Sequence, residues 1–139
     1  MTSKKLRSVL FISATVSLLI GLFVYLMYGP KTHISKLVYR FISLPQVEDQ
    51  NTIAAKLLRF YLADYLWAFS MSCWLHIIFL PGVKQSVFCT LFVWCFGTVY
   101  ELCQGIGIIS GTKDYIDCLL YLLAGVTVNI IIFLKEKTK

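Results

Sequence analysis

Glu101 and Gln104 stand three residues apart, and after a glycine-containing turn Asp114 and Asp117 repeat that spacing. Residues three apart share one face of a helix, so each pair can offer its polar groups in a single direction. Asp64 lies in an earlier apolar stretch, with basic Arg59 close before it, and Lys113 directly precedes Asp114. Carboxylates gathered in this way could hold a cation, share a proton, or act as acid and base towards a bound group. The surroundings make these residues candidates for function. An ionisable side chain within a bilayer is costly unless it finds a partner or water.

The elements that must position them are apolar. Of the 139 residues, 58% are hydrophobic and 14% charged, and the mean hydropathy is +0.76. That is too apolar for a soluble domain and suits a small polytopic membrane protein. The net charge of +6 points to an anionic membrane surface rather than nucleic acid. Five cysteines fall within or at the ends of apolar runs, with no CxxC or Cys/His spacing. They read as buried hydrophobes, and no metal, cofactor or disulfide framework is expected.

Four transmembrane helices are expected, over residues 8–28, 60–80, 86–104 and 117–134, in a single domain. The first has the basic start of a signal peptide but the length of a span and no small-residue cleavage pattern, so it reads as retained. Ile34, Leu37, Val38, Phe41 and Ile42 recur at helical spacing, with Lys36 and Arg40 on another face. They suggest a short amphipathic interfacial helix after the first span, ending near Pro45; the alternative is a plain connecting loop. Pro81-Gly82 marks a turn after the second span. Short connections favour an antiparallel bundle, giving an all-α membrane fold.

In such a bundle Asp64 near the start of the second span, Glu101 near the end of the third and Asp117 at the start of the fourth reach the same side. Asp114, Arg59 and Lys113 join them. Glu101 would sit roughly 5 Å below the end of its helix. Placing both termini together puts seven basic residues on their side and six on the other. With the basic N-terminus, that favours a multi-pass cell-membrane protein with cytoplasmic termini and the acids outside.

Each residue also has a plainer reading. Asp114 and Asp117 stand where acids cap a helix start. Asp64 could simply pair with Arg59 or Lys56. Neither Glu101 nor Gln104 caps a helix start, which favours function there. Asn129 reads as interhelical glue, Gly97, Ala124 and Gly125 as points of close helix contact, and His33 and His76 as structural or interfacial. The aromatics Tyr61, Tyr65, Trp67, Trp74 and Trp94 read as belt or packing residues.

The run Glu101-x-x-Gln104, glycine-containing turn, Asp114, Asp117 and glycine-bearing helix resembles the VanZ-like family of small bacterial membrane proteins. The resemblance covers mainly residues 97–129, with Leu62 to Ser70 as weaker support. It departs where the family often has arginine in the turn, here Lys113, and asparagine four residues after the second aspartate, here Tyr121. The founding member is associated with resistance to the glycopeptide teicoplanin. The resemblance therefore implies a cell-envelope protein contributing to glycopeptide tolerance, with Glu101, Gln104, Asp114, Asp117 and Asp64 as its polar site. Membrane lipids are expected partners, and a lipid head group, envelope precursor or glycopeptide a possible ligand. Two other classes compete: a membrane enzyme acting on a lipid-linked envelope substrate, and a small transporter or structural subunit. The chain has no GxSG or HExxH motif, and its acids lie near one face with no charged residue continuing through the membrane.

Overall fold

The computed structural model describes residues 3–28, 38, 40–41, 53, 57–79, 83–109 and 113–137. The described residues form four α-helices: α1 (Ser3–Tyr28), α2 (Ala63–Phe79), α3 (Val83–Gly105) and α4 (Tyr115–Lys137). A π-helical segment, Leu58–Leu62, leads into α2. Of the expected amphipathic helix over 34–42 only Val38, Arg40 and Phe41 are described, each helical; the turns at Pro81-Gly82 and 110–112 lie outside the described residues.

All three prolines fall outside these helices. Pro30 and Pro81 each follow a helix end by two residues, at positions where proline cannot continue the hydrogen-bond ladder. Among the described residues, three stretches are long and apolar enough to cross a membrane: Lys4–Met27, Ser86–Gly105 and Tyr115–Lys135. Helix α2 by itself has 17 residues, short of the ~20 that span a bilayer. The residues flanking the π segment, Leu57 and Ala63, have α-helical backbone angles, so the helical path runs unbroken from Leu58 to Phe79.

Burial is arranged inside out. Phe11, Leu19, Phe23, Phe79, Phe88 and Leu123 point outward and are more than half exposed, whereas Ser70, Ser72, His76, Thr90 and Glu101 are buried. Water would penalise such a surface; hydrocarbon would not. Two apolar clusters tie the helices together. Leu10 and Ala14 of α1 meet Cys73 of α2 and Val128 and Ile132 of α4. Ala68 of α2, Val93 of α3 and Tyr121 and Ala124 of α4 form the second.

Small groups allow the close approaches. A Cβ at Gly97 would run into the Tyr121 ring, and one at Gly125 would come within 2.7 Å of Thr90 Cγ2. Both glycines therefore set how near α3 and α4 can lie, as small residues do between membrane helices. Side-chain hydrogen bonds supplement this packing, from Ser70 Oγ to the Ala14 carbonyl (2.9 Å) and from Tyr65 Oη to Thr127 Oγ1 (3.0 Å).

Candidate functional site

The end of α3 and the start of α4 are each shaped by their own local chemistry. Helix α3 closes in a Schellman motif: Gly107 N–H donates to the Gln104 carbonyl (3.0 Å) and Ile108 N–H to the Cys103 carbonyl (2.9 Å). Gly107 has φ 75°, the left-handed conformation this motif needs and glycine adopts most readily. Helix α4 opens with Asp114 as its N-cap, whose Oδ1 accepts the Ile116 N–H at 2.8 Å. The capping role weighed for Asp114 is thus its observed one.

Glu101 is 3% exposed, and both its oxygens are engaged by α4. Oε2 accepts the Asp114 backbone N–H at 3.0 Å, and Oε1 accepts the Tyr121 hydroxyl at 3.1 Å. In a capping box, the residue at the third helical position reaches back to the N–H of the N-cap. That position is Asp117, and here Glu101 takes its place from another helix. The expectation that Glu101 caps nothing therefore needs correction: it caps the start of α4, because α3 packs closely enough at Gly97 to bring it there.

Asp117 is released by this exchange of roles. It is buried, with Oδ1 lacking a hydrogen-bond partner. It lies within Coulombic reach of Asp64, Glu101 and Asp114, and Asp64 in turn faces Glu101 and Asp114. The structure thus brings together all four of the acids singled out from the sequence. Tyr61, in the π segment, adds its hydroxyl beside the Asp114 carboxylate. A π turn accommodates one extra residue, so it rotates the downstream residues by about 100° relative to a continuous α-helix. It ends two residues before Asp64.

Gln104 is half-buried one turn beyond Glu101, and its backbone carbonyl belongs to the Schellman motif. Lys113 places its Nζ 4.6 Å from the centroid of the Tyr115 ring. Arg59 lies in the π segment, but its side chain, like Lys56, is outside the described residues. Among the described residues, no three His, Cys, Asp or Glu side chains are arranged to hold a metal ion.

A second polar group lies at the opposite ends of α2 and α3. His76 is 1% exposed; its Nδ1–H donates to the Ser72 carbonyl at 2.7 Å. Its Nε2 meets Ser86 Oγ at 2.9 Å and Asn129 Oδ1 at 3.1 Å. The Ser86 hydroxyl also donates to Asn129 Oδ1, and Asn129 Nδ2 donates to Thr90 Oγ1 at 2.8 Å. Asn129 is the interhelical link read from the sequence, and His76 is structural. Ser86 and Thr90 escaped notice, although Ser86 and His76 flank Pro81-Gly82 ten residues apart, as partners across a helical turn would. Tyr121 was visible only as a departure from a family pattern. Its place four residues after Asp117 sets it on the same helix face.

No protein-family model, curated protein or solved structure matches the chain.

Proposed function

We propose that the chain is a VanZ-like integral membrane protein of a bacterial cell envelope, working through the acidic recess formed by Asp64, Glu101, Asp114 and Asp117. The unbroken helical path from Leu58 to Phe79 supports a fourth span. The contacts between the end of α3 and the start of α4 support an antiparallel bundle. In this reading both termini are cytoplasmic, the recess opens at the outer face, and the protein contributes to tolerance of teicoplanin-type glycopeptides. Its ligand is a lipid head group, an envelope precursor or the glycopeptide itself.

One observation carries the reading. Asp117 keeps a buried oxygen without a partner within Coulombic reach of three other acids. That arrangement disfavours the isolated fold, and a group that costs stability without structural return is best explained by use. The test is glycopeptide susceptibility of a deletion strain complemented with wild type, Asp117→Asn or Asp64→Asn, with membrane levels of each protein measured alongside. Wild type should restore tolerance and both variants should fail at equal abundance. Full rescue by both would mean that the recess has no part in tolerance. Glu101→Gln is a poorer probe, because Glu101 also holds the start of α4.

A further inference from the structure

Hydrogen bonding within the recess is unevenly distributed. Glu101 accepts from Asp114 N–H and from Tyr121 Oη, and Asp114 Oδ1 accepts from Ile116 N–H. Asp117 Oδ1, on a residue only 8% exposed, accepts from nothing. Asp64, half-buried on α2, lies within Coulombic reach of Glu101 and Asp114, and Asp117 lies within reach of Asp64. The neighbouring Lys113 ammonium is directed at the Tyr115 ring.

We propose that Asp64 and Asp117 together receive a primary ammonium group of a ligand. The proposal rests on the reading of the recess as the working site, and it adds the chemistry of the group that enters. A buried, unpartnered carboxylate oxygen calls for a donor, and four acids call for a positive charge. A primary ammonium supplies both: three N–H groups in three directions, reaching acceptors at about 2.7–2.9 Å. A quaternary ammonium brings charge but no hydrogen for Asp117 Oδ1. A bare metal ion needs several ligands converging on one point, and no such set of three exists among the described residues. The ammonium could belong to an aminoethyl lipid head group or to a soluble amine; the recess chemistry is the same for both.

The experiment uses the full chain in nanodiscs, reading thermal unfolding and intrinsic tryptophan fluorescence. One arm titrates ethylamine into phosphatidylcholine discs. A second replaces part of the phosphatidylcholine by phosphatidylethanolamine. A third titrates tetramethylammonium as a control for charge alone. The expected result is a rise in unfolding temperature with ethylamine, phosphatidylethanolamine or both, and none with tetramethylammonium. Whichever arm responds identifies the source. Asp117→Asn and Asp64→Asn should each weaken the response at least about tenfold, the loss of one good charged contact, while Lys113→Ala should retain it. A missing response in both amine arms, an equal response to tetramethylammonium, or an undiminished response in both aspartate variants would overturn the proposal. So would a response that appears only in Lys113→Ala, which would assign the recess to the chain's own lysine. Amine binding in a protein whose aspartate variants still restore tolerance would support this ligand and refute the envelope function. Loss of tolerance in those variants without any amine response would do the reverse.

Discussion

The Glu101 carboxylate accepts the backbone N–H of Asp114 at 3.0 Å, so the last turns of α3 cap the first turn of α4. The bond joins two helices across a tight connection and leaves the acid in the usual capping position, Asp117, free for something else. Glu101 therefore has structural weight, while Asp117 Oδ1 is left outside the capping bonds.

If Glu101 joins the helices, its two hydrogen bonds should be measurable as a coupled pair. Tyr121→Phe removes one donor and should cost about 1 kcal/mol, whereas Glu101→Ala strands two donors and should cost about 1–3 kcal/mol. The double variant should fall short of the sum, because one interaction is shared. Reversible unfolding in detergent reads all three. Strict additivity would mean that the Tyr121–Glu101 bond contributes nothing.

The N-cap at Asp114 makes a local prediction. Asp114→Ala should lose about 1 kcal/mol, and Asp114→Ser should recover most of it. Hydrogen exchange at Ile116 and the rest of the first turn of α4 should quicken in the alanine variant while the middle of the helix is unchanged. Equal exchange in both proteins would show that Glu101 alone suffices to hold the helix start.

At the other end, Asn129 binds groups from two helices at once. Asn129→Ala leaves Thr90 and the His76–Ser86 pair short of partners and should cost about 1–3 kcal/mol. Replacing the whole group, His76→Leu, Ser86→Ala, Thr90→Val and Asn129→Leu together, should recover part of that loss, since burying no polar group is better than burying an unpaired one. A combined variant weaker than Asn129→Ala would show the network to be more than glue.

The helices were legible in the sequence because apolar length and proline position are one-dimensional signals. Tyr28 ends α1 two residues before Pro30, and Asp114 lies where a cap was weighed. The meeting of Asp64, Glu101, Asp114 and Asp117 was also foreseeable, since their places near helix ends were read directly from the sequence. Individual roles were not. Whether Glu101 caps α4 depends on how closely Gly97 admits Tyr121, a matter of tenths of an ångström between helices distant in sequence. The π segment was invisible for a similar reason: Leu58–Leu62 differs from ordinary helix in hydrogen-bond register, which composition does not record. The His76, Ser86, Thr90 and Asn129 group was hidden because serine and threonine in apolar helices usually bond their own backbone.

Between the acidic recess and the His76 group lies the layer formed by Ala68, Val93 and Ala124, each at most 2% exposed. Glu101 and Ser86 are fifteen residues apart on α3, or about 22 Å of helix. Among the described residues no acidic or basic side chain lies in that layer. The acids and the His76 group are thus held far enough apart that substitutions at one end should add to those at the other.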